Sequence, residues 1–309
     1  MTHVHAGYGH SHGHGHAPST FGRAFAIGIV LNSTYVVSEA AFGVWANSLA
    51  LISDAGHNLG DVLALALAWG ATRMARRPPG GRFTYGLSGA TILAALANAV
   101  LLLVVTGAIA WAAILRLGHP EPAAGVTVMV VAAAGVVING VTAWMFAAGR
   151  KGDVNIRAAY LHMAADAVVA IGVVVTGVMI ALTGWMWLDP VASLVIGVVI
   201  VGGAWSLMRE SLDLALDAVP ADVDKLAVRD YLANLPGVTE VHDLHIWGMS
   251  TTGTALPAHL VRPGAELDDA LLHQACHELE ERFRVHHATL QIEHGDGGHP
   301  CHLADEAVI

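Results

Sequence analysis

Apolar residues fall along this chain in long, nearly unbroken blocks. Six can be marked, approximately at Phe25 to Trp45, Leu49 to Thr72, Ser88 to Leu115, Ala124 to Ala148, Ile156 to Leu182 and Pro190 to Met208. Each comes near the ~20 residues that a helix needs to cross a hydrocarbon core about 30 Å thick. A helix also satisfies its backbone polar groups internally, which such a block must do once water is gone. Six transmembrane helices are therefore expected. Beyond Met208 the pattern shortens and becomes that of a small soluble domain. Asp222 to Leu235 predicts a helix stopped by Pro236-Gly237, and Val238 to Ile246 and Ala255 to Val261 predict strands with Gly253 in the turn between them. Glu266 to Phe283 places Leu267, Leu271, Leu272, Ala275, Leu279 and Phe283 at helical spacing, and Ala288 to Ile292 predicts a third strand.

The expected fold is thus an α-helical membrane domain followed by an α+β domain of order αββαβ, two helices over a three-stranded sheet of the ferredoxin-like kind. The domains divide as a His-rich disordered tail over residues 1–20, the membrane domain over 21–209, the soluble domain over 210–296 and a C-terminal tail over 297–309.

Composition agrees with this reading. Of the 309 residues, 55% are hydrophobic and only 13% charged, a membrane protein's balance. The net charge of −10, with no basic patch among aromatics, speaks against nucleic acid as a partner. Acidic character together with 19 His points to cations. Basic residues are distributed unevenly: Arg73, Arg76, Arg77 and Arg82 lie between the second and third blocks, and Arg150, Lys151 and Arg157 between the fourth and fifth. The turns Ala46-Asn47-Ser48, Gly118 to Pro122 and Thr183 to Trp187 carry no Lys or Arg. The positive-inside rule then puts both termini in the cytoplasm, with Trp45, Trp111, Trp185 and Trp187 at the opposite interface. The N-terminus has no leader-peptide pattern. Its His10, His12, His14 and His16, spaced by small residues, suit loose capture of metal by a disordered tail.

Candidate chemistry lies inside the apolar blocks. The second block contains His57 and Asp61, and the fifth contains His162 and Asp166. Residues four apart share a helix face, so each block offers one imidazole and one carboxylate in the same direction. Ionisable groups at membrane depth cost roughly 2.5 to 3.5 kcal/mol each on insertion scales, which makes two matched pairs an expensive accident. Two His and two Asp make a four-coordinate set of the kind Zn2+ prefers. The two helices run in opposite directions, so each level of the site holds one His and one Asp. His57 lies roughly 12 Å inside its block at 1.5 Å per residue, near the midplane. Glu39 and Asp54 are ionisable and sit in the outer halves of their blocks. Asp54 shares a face with His57, as a path or supporting group, or else it caps an early turn beside Gly56. Asn32, Asn98 and Asn139 suit hydrogen bonds between helices. Asp189-Pro190 reads as the start of the last helix, with Pro at its first position.

The soluble domain holds further possible ligands. His242, His259 and Glu293 lie on adjacent strands within plausible reach of one another, with His245 and His287 as additions. Strand alternation puts Asp243 on the face opposite His242. Cys276 and Cys301 form no CxxC pair and argue against a disulfide framework. They read as a half-buried helix thiol and a tail thiol.

The stretch Asn47 to His57 with Asp61, His162-x-x-x-Asp166, and His242-Asp243-Leu244-His245-Ile246-Trp247 together resemble the cation diffusion facilitator transporters, over all six blocks and the soluble domain. The resemblance implies a homodimer in a bacterial inner membrane that exchanges Zn2+ for protons, with metallochaperone-like cytoplasmic domains. It assigns His57, Asp61, His162 and Asp166 to transport. It matches His242, His259 and Glu293 to positions that hold regulatory metal in some members. His at the start of the second-block motif goes with the zinc-preferring subgroup. One departure stands out: where relatives often carry Tyr-Gly-x-x-Arg-x-Glu, Tyr85-Gly86 is followed by Gly89 and Thr91. The loop from Arg76 to Phe83 also lacks the His and Asp of the extra site found in some members.

An enzyme is not expected. No His-Glu-x-x-His of a metallohydrolase is present, and no Walker-type loop for a nucleotide. A passive divalent-metal channel or a membrane metal sensor would use the same ligands, and both are separated from an antiporter by whether zinc moves and whether protons move against it.

Overall fold

The computed structural model describes residues 19–147, 154–264, 268–295 and 301–303. The tail histidines His10, His12, His14 and His16 lie outside these, as do Arg150 and Lys151. Six long helices come first: α1 (Ser19–Trp45), α2 (Leu49–Ala75), α3 (Ala90–Gly118), α4 (Gly125–Ala147), α5 (Val154–Thr183) and α6 (Leu188–Ala215). Among the described residues, four stretches are long and apolar enough to cross a membrane: α3, Gly125–Met145 of α4, Tyr160–Thr183 of α5, and α6. The last helix runs to Ala215, past the expected Met208, because Arg209 to Asp213 continue helical in a polar stretch that length and hydropathy alone would exclude. The small domain adds α7 (Lys225–Ala233), β1 (Glu240–His242), β2 (Trp247–Gly248), β3 (Thr254–Val261), α8 (Asp269–Phe283) and β4 (His287–Glu293).

The chain forms two compact units, residues 1–59 with 109–196, and residues 60–108 with 197–309. In the first unit α4 packs along α5 and α1 against α4. The α4–α5 approach is close because Gly125 and Gly177 face each other. A Cβ added at Gly177 would come within 2.6 Å of the Met129 amide nitrogen, and one at Gly125 within 2.9 Å of the Gly177 carbonyl. Small residues at a crossing let backbones approach, which is how membrane helices gain dispersion energy. Large apolar side chains such as Val37, Trp144, Val175 and Leu182 are exposed on the outer faces, as lipid contact requires.

In the second unit the small domain is built around β3. The expected order αββαβ is replaced by αβββαβ, because the first expected strand is divided. β1 and β2 pair antiparallel with successive parts of β3, and β4 pairs parallel along its other edge. His242 stands opposite His259 and Trp247 opposite Ala255, five steps on one strand against four on β3. That is a β-bulge. Asp243, in the left-handed region at φ 49°, makes it, and Asp tolerates that conformation better than most residues. Helix α7 is capped by Asp224, which accepts from the amides of Leu226 and Ala227, and α8 by Asp268, which accepts from Leu271. Val228, Leu232, Leu256, Leu260, Leu279 and Val285 fill the core between the helices and the sheet.

Candidate metal sites

His57 and Asp166 face each other from α2 and α5, with the imidazole Nε2 3.7 Å from the carboxylate Oδ1. His162, one turn before Asp166 on α5, places its Nε2 3.7 Å from the second oxygen, Oδ2. The two imidazole rings lie edge to face, 6.4 Å apart. Asp166 is buried, whereas His57 and His162 are partly open. Asp61 follows His57 by one turn on α2 and is half-buried. A buried carboxylate flanked by two imidazoles in an apolar helix pair is a poor stability device, since desolvation offsets much of the attraction. It is a good cation ligand set.

Polar groups surround this face of α2. Glu39 of α1 is fully buried and accepts a hydrogen bond from the Tyr35 hydroxyl at 2.6 Å and another from the Asn58 side-chain amide at 3.3 Å. Asp54 is buried within electrostatic reach of Glu39 and His57. It sits in the second turn of α2 and does not cap the helix. Ser48 does that, its Oγ accepting from the Leu51 amide at 3.3 Å. Asn98 and Asn139 are buried within α3 and α4, while the side chain of Asn32 lies outside the described set.

Sequence reasoning missed the group that anchors the start of α2. Asp189, which reads as no more than the first turn of α6, accepts from the Ser48 hydroxyl at 2.5 Å and from the amides of Leu49 at 2.7 Å and Ala50 at 3.3 Å. It thereby satisfies two of the amides that a helix start leaves without partners. Arg116 of α3 lies 3.6 Å from the same carboxylate and donates to the Asn47 carbonyl and side-chain oxygen, both at 2.8 Å. Asn47 itself turns the chain at φ 51°. Arg116 was the available signal: a lone cation at the end of an apolar block, beside a turn with no Lys or Arg, needs a partner.

On the sheet of the small domain, His242, His259, Glu293 and Cys301 can each offer one ligand atom within 4.8 Å of all the others. His259 Nδ1 is 2.9 Å from Glu293 Oε1, and His242 Nε2 is 3.4 Å from Glu293 Oε2. His242 and His259 come together because they are directly opposite in the ladder, and Glu293 because it registers with Val261, two residues along β3 from His259. Asp243 also reaches this cluster, its Oδ2 3.4 Å from His259 Nε2. Simple alternation had turned it away, and the bulge re-aims it. His245 binds the other oxygen of Asp243 at 2.9 Å. His287 is not brought in. It registers with Ala255, four residues from His259, roughly 13 Å along the strand, and its ring meets Tyr85 edge-on at 5.4 Å. Thr91 accepts a hydrogen bond from the Thr251 amide at 3.1 Å.

Both parts of the chain match known proteins. Residues 25–214 match the cation efflux transmembrane domain, and residues 220–295 the cytoplasmic domain of cation efflux proteins. The chain is 36% identical to the metal cation efflux system protein CzcD of Cupriavidus metallidurans over 286 residues, 92% of this chain and 89% of that one. It is 34% identical to the zinc transporter ZitB of Escherichia coli, covering 91% of this chain and 88% of the other. It is 30% identical to a cadmium, cobalt and zinc/H(+)-K(+) antiporter of Bacillus velezensis, covering 88% of each. With both halves matched along nearly their whole length, the chain belongs to the cation diffusion facilitator family of cation efflux membrane transporters.

Proposed function

We propose that this protein exports Zn2+ from the cytoplasm in exchange for protons, carrying the ion at a mid-membrane site of His57, Asp61, His162 and Asp166. Cd2+ and other divalent transition metals are further cargo within reach of the same ligands. The observation that carries the reading is the convergence of His57 and His162 on the buried Asp166 carboxylate, 3.7 Å from each. Asp61, on the same face of α2 as His57, supplies the second carboxylate. The two carboxylates neutralise a divalent ion, and the imidazoles ligate it only when unprotonated. Metal and protons therefore compete for the same side chains. That competition is what an antiporter needs: the ion loads from the cytoplasm, the helices rearrange, and protons from outside displace it and return with the emptied site. The relatives named as zinc transporters and as a cadmium, cobalt and zinc antiporter support the same chemistry.

In this proposal all six long helices span the membrane with both termini in the cytoplasm, and the chain works as a homodimer. His242, His259 and Glu293 hold a regulatory metal ion, and the tail histidines raise its local concentration. The test is a proteoliposome assay with a zinc dye and a pH dye inside. Zinc flux that rises with an opposing proton gradient and is matched by proton counterflow supports exchange. Flux indifferent to the gradient supports a passive channel instead, and binding without flux a sensor.

A further inference from the structure

We propose that Cys301, eight residues beyond the end of β4, is the fourth ligand of the cytoplasmic zinc site, and that Asp243 orients His259 towards that ion. The inference rests on the reading of His242, His259 and Glu293 as a metal site and adds to it a thiolate, a completed coordination number and a positioning residue.

The geometry is that of a shell already gathered. Cys301 Sγ lies 3.4 Å from His259 Nδ1, the same nitrogen that faces Glu293 at 2.9 Å. His242 Nε2 stands 3.4 Å from the other Glu293 oxygen. In a tetrahedral zinc site with bonds of 2.0 to 2.3 Å, neighbouring ligand atoms are about 3.3 to 3.8 Å apart, so small shifts would close this set on an ion. His242 is only 5% exposed, and its ring nitrogens face the Glu293 carboxylate at 3.4 Å and the Glu240 carboxylate at 3.7 Å without a well-aligned hydrogen bond among the described residues. A buried imidazole left in that condition costs free energy unless something binds it.

The two nitrogens of His259 have separate duties. Nδ1 faces the sulfur and the Glu293 carboxylate, while Nε2 faces Asp243 Oδ2 at 3.4 Å. A metal-bound imidazole commonly donates its other N–H to a carboxylate, which fixes the ring and the tautomer. The bulge supplies that carboxylate, and His245 holds its second oxygen. Two imidazoles, one carboxylate and one thiolate form a closed structural-type set within a single protomer, and the sulfur favours zinc over Mg2+ or Mn2+.

The experiment uses the full-length protein carrying His57→Ala and Asp166→Ala to silence the transport site, titrated with Co2+ in place of zinc. The expected result is a sulfur-to-cobalt charge-transfer band in the near ultraviolet, together with visible tetrahedral bands, at the first equivalent. Cys301→Ser should remove the near-ultraviolet band, leave visible absorption and weaken binding at least tenfold. Cys276→Ser should leave both intact, since that thiol lies in α8 and burial pushes its pKa up, against thiolate formation. Asp243→Asn should weaken binding several-fold with the charge-transfer band retained, and Asp243→Glu should restore part of the affinity. Visible bands lost in His242→Ala but no charge-transfer band at any stage would overturn the role of Cys301 and leave the three-ligand site standing. A spectrum unchanged by His242→Ala would overturn both. A charge-transfer band that follows Cys276 would also contradict the assignment.

Discussion

In the proposed function Asp166 is the side chain on which transport turns, because two imidazoles face its two oxygens. Asp166→Asn keeps the shape and removes the charge. The expected outcome is loss of zinc binding at the membrane site by two orders of magnitude or more with the fold retained, checked by isothermal titration alongside circular dichroism. His162→Ala should lower affinity less, because its ring is the most open of those three groups. Asp189 makes a contrasting case. Among the described residues it pairs with no candidate ligand and instead satisfies the first amides of α2. Asp189→Ala would leave those amides and Ser48 without their acceptor and the half-buried Arg116 with Glu121 as its remaining carboxylate, at a cost of about 1 to 3 kcal/mol. The midpoint of thermal unfolding in detergent should fall, with zinc affinity changing far less than in Asp166→Asn.

At the scale of elements, α5 is held against α4 by the Gly125–Gly177 crossing. Gly177→Leu should force the helices apart, lowering both the unfolding midpoint and transport rate, whereas Gly172→Ala, on the same helix with open space around it, should change neither appreciably. The contrast is read in one fluorescence-based stability assay and one flux assay. Elements of this kind were legible in the sequence to unequal degrees. The helices were plain because apolar blocks of that length have few alternatives, and the His-x-x-x-Asp pairs were plain because nothing structural calls for them in lipid. The division of the first strand was not legible, because period-two alternation carries no mark for one inserted residue, and only Asp243 in the left-handed region reveals it. That one residue breaks the alternation, so Asp243, which alternation puts on the face opposite His242, stands beside His259. Cys301 reads from the sequence only as a tail thiol, because sequence distance from the strands says nothing of where the tail returns.

For the whole molecule, the proposed transport is a competition between a divalent ion and protons. Acidifying the side from which zinc loads should weaken binding, because His57 and His162 must lose their protons to ligate. Acidifying the opposite side should speed release. The two effects have opposite signs on net flux, and a stopped-flow assay with pH set independently on each face separates them. Association of two copies is expected to tighten when the cytoplasmic site is filled, measurable as a shift in the dimer fraction by light scattering with and without zinc.

The most direct test of the central claim is zinc flux into proteoliposomes by the chain in which His57, Asp61, His162 and Asp166 are all replaced by Ala, with the cytoplasmic ligands intact. The account predicts that gradient-driven zinc flux falls to the level of empty vesicles while the protein still reconstitutes and still binds zinc on its cytoplasmic sheet. Flux persisting at the wild-type rate would contradict it.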